Sequence, residues 1–545
     1  MLATLTIDDS SDVYLGLGGS THDVSACILK DGKIQLAVES ERVSRIKHSM
    51  DAFSPIDTAI KYLFEDGNHK VKKIVSSDIL NTYNWLDGSR SINYYNHHLC
   101  HAASTFYTSP FDSAAVFVCD GIGSFNRTET GYEFETYSYY EAKDTEIKLL
   151  GKNIGEVGDA LSETDNHHVN VPNSLGLFYI FITKIIGFKF LQDGKTMGLS
   201  AYGTPKYYEE LKGYFTFESD GILKINFGEK ESQEFYSKHS HDVPEEKKFQ
   251  LNADIASSAQ KIFEEGYFYC LNHLYKITKN DNLCLSGGVA LNSVANGKIT
   301  ENTPFKHVYT FPQCGDAGIA IGSAYLAYYE DGHKRTRIEN QSPFLGKEYS
   351  DSQITKALTE KDLKYQKVEN VYLEAAKKIA DGKIVGWFQG RSEVGPRALG
   401  HRSIVVDPRR KEMKDYLNDR VKKREFFRPF APAVLEMHTK EFFEPNYRTP
   451  YMTDVFRIKK NMQSIIPSVV HVDGTGRLQT VGQDNEAFFN LITEFKKITD
   501  VPVILNTSFN INKMPIVETP EDAIDCFLLT NIDILYINDY ECVKS

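Results

Sequence analysis

The strongest chemical signal in the chain is a pair of histidines four residues apart. In HHLCHAAS (97–104), His97 and His101 stand at i and i+4, so a helix would put both imidazoles on one face, close enough to share an ion. Asp120 ends an apolar run at a glycine turn, and Asp316 sits in CGDAG (314–318) ahead of another helical pattern. Two imidazoles and two carboxylates suit a borderline or hard divalent ion such as Fe(II), Mn(II) or Zn(II). A histidine pair at this spacing is also common in cores and on surfaces, and His98, one position off the shared face, is left over. His22 follows the first glycine turn, where an acid/base residue could stand. Lys47, in RIKHS (45–49), could steady an oxyanion or phosphate, although Arg45 and Lys47 alone would read as a solvated charge run.

A second group is basic. GRSEVGPRALGHRS (390–403) holds Arg391, Arg397 and Arg402 among glycines, and DRVKKREFFRPFAP (419–432) adds Arg420, Lys422, Lys423, Arg424 and Arg428. HVDGTGRLQTV (471–481) contributes Arg477, and LNTSFN (505–510) ends a strand pattern at Thr507 and Ser508. Arginine forks and lysine charges around short polar turns fit a site for small phosphorylated anions. Phe426, Phe427 and Phe430 could offer a face to an adenine ring. The bland reading is a basic surface. The prolined, apolar setting of Arg428 argues for partial burial instead, and a buried guanidinium needs an anion.

These residues need elements to position them. VYLGLG, SACILK and KIQLAVE (13–39) read as three strands, with Asp31-Gly32 as a hairpin turn. Residues 53–65 read as a helix with Ser54 capping and Pro55 in its first turn, 71–77 as a strand, 113–119 as an apolar strand, and 253–278 as a helix. Glycine turns follow strands at 16–23, 120–124 and 286–292. Such turns let backbone N–H groups approach phosphate oxygens, which makes Gly121, Gly287, Gly288 and Asn292 candidates for nucleotide contact. Three of them on a strand-rich, then strand–helix, layout outline the actin-like ATPase superfold. The polar stretch 335–352 reads as a junction. Beyond it a second α/β pattern has a helix at 373–382, strands at 383–389, 403–407 and 501–508, and a helix at 518–531 capped by Thr519 with Pro520 next. The expected units are 1–342 and 343–545.

A length of 545 residues exceeds one core, and 41% hydrophobic with 25% charged residues is ordinary for a soluble globular protein. A net charge of -12 argues against a nucleic-acid partner. None of the eight cysteines forms a Cys-x-x-Cys pair, and several sit in apolar runs, as expected of buried free thiols in a reducing cytosol. The acidic N-terminus does not read as a signal peptide, and no apolar window approaches a membrane span, so a cytoplasmic protein with no membrane contact is expected.

Taken in order, HDVSACILKDGKI, ESERVSRIKH, HHLCHAAS, CDGIG, GKTMGLSAYG, LSGGVALN, CGDAGIAIGSA, GRSEVGPRALGHRS, VKKREFFRPFAPAV, HVDGTGRLQTV and LNTSFN make the chain resemble the NodU/CmcH-type O-carbamoyltransferases, which modify nodulation factors, cephems and aminoglycosides. The resemblance covers nearly the whole chain. It implies an actin-like duplicated α/β domain followed by a YrdC-like twisted-sheet α/β domain. It also implies that ATP and carbamoyl phosphate form carbamoyladenylate in the second domain, with Mg accompanying ATP, and that the first domain passes the carbamoyl group to the hydroxyl of a small-molecule acceptor. By the same resemblance His97, His101, Asp120 and Asp316 are metal ligands, Fe(II) foremost. His22 is the acid/base residue and Lys47 contacts the adenylate, while Arg397, Lys422, Arg428, Arg477 and Ser508 serve activation. Aminoglycoside-modifying members carry a carboxylate two residues before the acid/base histidine. Ser20 stands there in this chain, which counts against a strongly cationic acceptor. A homodimer is left open. The competing readings are a fused threonylcarbamoyl tRNA-modifying enzyme and an actin-like ATPase switch without transferase chemistry.

Overall fold

The structure, a computed structural model, describes residues 5–20, 22–48, 53–65, 70–82, 91–158, 170–444 and 447–544. Its first sheet begins with the three strands read from the sequence. Val13–Gly18, Ser25–Lys30 and Lys33–Glu39 pair antiparallel in succession. Asp31 and Gly32 both take positive φ (51° and 70°), the geometry that matches a tight hairpin to the strand twist. Lys73–Ser77 and Ile92–Tyr95 then add in parallel on the other side of Val13–Gly18. Counting in chain order, the sheet runs third, second, first, fourth, fifth.

A second sheet repeats this plan. Along its main path Ser113–Cys119 is the first strand, Gly131–Lys143 and Glu146–Gly158 follow antiparallel, and Asn282–Ser286 and His307–Thr310 add in parallel on the far side; a sixth, short strand, Phe125–Arg127, pairs off this path with Gly131–Lys143. Order and directions are the same, so the first half is duplicated at the level of strand topology. Between the sheets lie the helices His97–Thr108 and Ile319–Glu330, packed on each other. Their Ala102, Ala103, Phe106, Ala320 and Ala324 share a core with Tyr14 and Cys27 of the first sheet and Val116 and Cys284 of the second.

The helix expected at 253–278 runs from Glu245 to Thr278. The polar turn EEKKFQLN continues it upstream, with Pro244 at the N-cap and Glu245 and Glu246 where the helix dipole favours acids. The helix expected at 53–65 spans Phe53–Leu63. The Ser54 cap and Pro55 concern side chains outside the described residues.

Beyond 350, ten strands form one mixed sheet, with Val385–Phe388, Arg402–Val406, Val503–Ser508 and Ala431–Leu435 at its centre. The helices Val371–Ala380 and Glu486–Thr499 pack on each other, and the Thr519 hydroxyl caps Pro520–Leu529 as expected, accepting from the Asp522 N–H. This half has its own core, drawn from residues between Ile354 and Cys542. Side chains of this half also enter the first half's cores: Phe427 is buried in the core of the second sheet's lobe, and Val394 in the core between the two sheets. All eight cysteines are buried and free. Among the described residues no helix is long and apolar enough to cross a membrane.

Candidate active site

His97–Thr108 starts where Asn96 caps it, accepting from the Leu99 N–H at 2.9 Å, and the first turn carries His97 and His101 inward. Asp120 follows the first strand of the second sheet, and Asp316 opens the turn leading into Ile319–Glu330. One ligand atom from each of these four buried residues lies within 4.8 Å of all the others. His97 Nε2 is 3.3 Å from Asp120 Oδ2 and 3.7 Å from Asp316 Oδ1, and His101 Nε2 is 3.4 and 3.6 Å from the same two oxygens. A tetrahedron with bonds of about 2.1 Å has edges of about 3.4 Å, so the spacing fits a divalent ion. His101 Nε2 is buried without a hydrogen-bond partner.

The surroundings fix the imidazoles. Ser286 Oγ donates to the Cys314 carbonyl at 3.1 Å, so it can only accept from His101 Nδ1, 3.2 Å away. That leaves the Nε2 lone pair facing the centre, as a metal ligand requires. Ser77 Oγ stands 3.5 Å from His97 Nδ1. Ser77 and Ser286 are the last residues of the fourth strands of the two sheets, so equivalent positions of the duplicated fold hold the two histidines. Asp120 offers Oδ2 to the centre because Oδ1 is occupied by the N–H groups of Gly121 (2.8 Å) and Gly288 (3.1 Å). Burial would keep His97 neutral, but its hydrogen bonds to both carboxylates win and raise its pKa to about 10. Burial opposes ionisation of Asp120 and Asp316, yet the facing imidazoles hold both below the usual carboxylate range. Without metal, this cluster therefore stores a proton where a cation fits.

His22 lies beside the centre. Its Nδ1 is 3.1 Å from Asp23 Oδ2, and Asp23 Oδ1 is 2.7 Å from His48 Nδ1. The His48 backbone N–H donates to Glu41 (3.1 Å). Burial alone would lower the His22 pKa, but the bond to Asp23, its charge and those of Asp316 and Asp120 raise it to about 9. A near-neutral histidine, the expectation for an acid/base group, is thus not what the metal-free cluster holds; a cation at the centre would offset the Asp120 and Asp316 contributions. Lys47 is exposed, one residue from His48, and its charge acts on Lys422 of the basic site. Asp23 and His48 were not singled out in the sequence, although the His-Asp pair directly after a glycine turn was there to see.

The glycine turn candidates serve the centre rather than an open phosphate cradle. The N–H groups of Gly121 and Gly288 are spent on Asp120. Gly287 has φ +87°, and a Cβ there would lie 2.2 Å from the Cys119 carbonyl, so the turn must be glycine for the strands to meet. Asn292 is buried, exchanges hydrogen bonds with Gln260 at 3.1 Å and accepts from the Ala295 N–H at 3.1 Å.

The basic residues converge only in part. Arg397, Lys422, Arg424, Arg428 and Arg477 repel one another, and Glu425, 3.8 Å from Arg428, is the carboxylate paired with them among the described residues. Burial and the Arg428 charge push Arg397 down to about 10 and Arg424 down to about 9. Burial pushes Arg477 and Lys422 well below their ordinary values, with neighbouring cations adding to it. Guanidinium groups keep their protons at neutral pH, so this pressure measures how strongly the cluster would welcome an anion. Arg477 Nε is buried with no hydrogen-bond partner. Lys422 Nζ is anchored to the Ser508 carbonyl (2.5 Å), Ser508 Oγ (3.2 Å) and Asn510 Oδ1 (2.6 Å), which pins the end of Val503–Ser508.

Three expectations change here. Arg402 is fully buried away from the cluster, donating to the carbonyls of Gln389 and Gly390 with its guanidinium over Phe388 and with Glu518 and Glu393 as its charged neighbours. Arg391 donates to the carbonyls of Gly346, Gln35 and Leu345 across the junction. Phe427 and Phe430 are buried and present no face to an adenine, which leaves the exposed Phe426. Lys195 of GKTMGLSAYG, which no local pattern marks out, reaches Glu425 at 2.7 Å and brings the first half to the basic site.

The stretches that carry the buried His–Asp centre and the half-buried cationic site match two family models, the carbamoyltransferase N-terminus over residues 68–325 and the carbamoyltransferase C-terminus over 376–544. The chain belongs to the carbamoyltransferase family and is a carbamoyltransferase enzyme. Among its relatives, nodulation protein NolNO of Sinorhizobium fredii is 33% identical over 95% of this chain and 78% of its own length. Nodulation protein NolO of Bradyrhizobium diazoefficiens is 35% identical over 82% of this chain and 78% of its own. Nodulation protein U of Rhizobium tropici is 38% identical over 42% of this chain and 39% of its own. A solved structure of full-length HypF, in the phosphate- and nucleotide-bound form, is a looser likeness, at TM-score 0.35 and 14% identity over 60% of this chain and 56% of that one.

Proposed function

We propose that this carbamoyltransferase is ATP-dependent and works in two steps at the two sites. In the ten-stranded half, which we read as YrdC-like, water cleaves carbamoyl phosphate to carbamate and phosphate, and the carbamate oxygen attacks the α-phosphorus of ATP (with Mg) to give carbamoyladenylate and pyrophosphate. In the duplicated half, which we read as actin-like, an acceptor hydroxyl attacks the carbamoyl carbon and AMP leaves. The observation that carries this reading is the half-buried cationic cluster of Arg397, Arg424, Arg428 and Arg477, which is short of negative charge. Two mutually repelling polyanions need such a cluster to meet.

A divalent ion held by His97, His101, Asp120 and Asp316 would supply Lewis-acid polarisation of the carbamoyl or phosphate oxygen. His22 takes the hydroxyl proton, with Asp23 fixing its ring through Nδ1 so that Nε2 is free to accept. Lys47, at the seam, holds the phosphate of the adenylate. The acceptor is a small molecule bearing a hydroxyl, of natural-product or sugar type.

The test mixes the protein with ATP and carbamoyl phosphate. Pyrophosphate should appear without tRNA or threonine; a requirement for threonine, or release of ADP alone, would refute the reading. Arg428→Ala should abolish pyrophosphate release, whereas His101→Ala should spare it and block transfer, read by mass spectrometry as a missing carbamoyl shift on the acceptor.

A further inference from the structure

A buried carboxylate outside both sites ties them together. Glu39 ends the third strand of the first sheet, 7% exposed. Its Oε1 accepts from the Gly395 N–H at 2.6 Å and from Gln313 Nε2, while Arg42, 2% exposed, donates through Nη2 to the Gly395 carbonyl at 2.8 Å and lies 3.8 Å from Glu39 Oε2. The first half thus grips both backbone polar groups of Gly395. Gly395 itself has φ +90°, and a Cβ there would stand 2.6 Å from the Pro312 carbonyl, so the turn from the second half lies flat on the Pro312–Gln313 backbone. The two gripped segments lead to the two sites. Gln313 is on the loop that presents Asp316, and Gly395 is on the turn that presents Arg397. The Arg397 charge feels Cys314 on that same loop.

This arrangement is expensive for stability alone. Burial holds the Glu39 carboxyl above its ordinary pKa even with Arg42 beside it, and Arg42 Nη1 and Gln313 Oε1 are buried without partners. Apolar packing of the same volume is often as stable as a buried ion pair, whereas directed hydrogen bonds fix a register that apolar packing leaves loose. We infer that Glu39 and Arg42 are positioning residues for the reaction: they hold the Arg397 turn against the Asp316 loop, so that the activated carbamoyl group passes between the sites instead of escaping to water. The inference rests on the two-step reading above.

The test uses the full chain with MgATP and carbamoyl phosphate and no acceptor, following pyrophosphate release through time. The wild-type chain should release a burst close to its own concentration and then slow sharply, because the adenylate is retained. Glu39→Gln and Arg42→Met should keep the burst but speed the later phase by about tenfold or more, since a misplacement of about 1 Å suffices for such effects. Gln313→Leu, which keeps the buried volume, serves if either variant folds poorly. A smaller burst with an unchanged later phase would mean lost active protein only and overturns the inference, as does a wild-type chain with no slow phase. No pyrophosphate from the wild-type chain at all sinks the two-step reading and this inference with it.

Discussion

Ser286 decides which nitrogen of His101 faces the centre, because its hydroxyl proton is already committed to the Cys314 carbonyl. Ser286→Ala should therefore weaken metal binding by about 10- to 100-fold, as measured by metal titration, while pyrophosphate formation at the other site continues. His97→Ala should lose the metal outright; full metal content in that variant would exclude the ligand set. His97 also makes a pH prediction. Its folded pKa of about 10 lies above the unfolded value, so in metal-free protein it contributes stability at neutral pH that is lost as pH rises through about 10. Metal loading at neutral pH must expel that proton, and calorimetry in buffers of different ionisation enthalpy should register at least one proton released. The four clustered residues could be picked out in the sequence, because helical spacing of the histidines and aspartates set at glycine turns are local patterns. Ser286 and Ser77 could not, since a serine gains its meaning only from the ring it meets across the fold.

The elements were easier to read than their purposes. The three opening strands, the histidine helix and the capped helix Pro520–Leu529 follow from alternation, helical spacing and end signals in the chain. The glycine turns form as expected, but the N–H groups of Gly121 and Gly288 are committed to Asp120, and the close approach at Gly287 packs the strands that carry it. The segment KKREFFRPF shows the same split. The expected partial burial of Arg428 holds, yet Phe427 and Phe430 are packing groups, with Phe427 inserted into the first half's core beside Phe188 and Tyr202. Phe427→Ala should cost about 3–5 kcal/mol of stability in denaturant unfolding, as deletion of a large buried aromatic does. A cost near zero would show that this contact does not fasten the halves.

At the scale of the molecule, a chain with an overall charge of -12 contains a cluster of concentrated positive charge. Which arginines converge there depends on how a ten-stranded sheet folds over the first half, and no local pattern tells Arg397 from Arg391 or Arg402. The halves are joined by Phe427, by Lys195 to Glu425, by Arg45 to the Pro515 and Ile516 carbonyls, and by the Glu39 contacts. They should therefore melt in one transition that moves upward as a whole on metal loading; two transitions with only the earlier or the later one moving would show that the halves unfold separately. The duplicated sheets carry one more consequence. Each sheet contributes the serine beside one imidazole, and both histidines come from the helix wedged between them. An ion held by the four residues would therefore rivet that helix to Asp120 at the end of the second sheet's first strand and to the Asp316 turn, bracing the contact between the duplicated sheets.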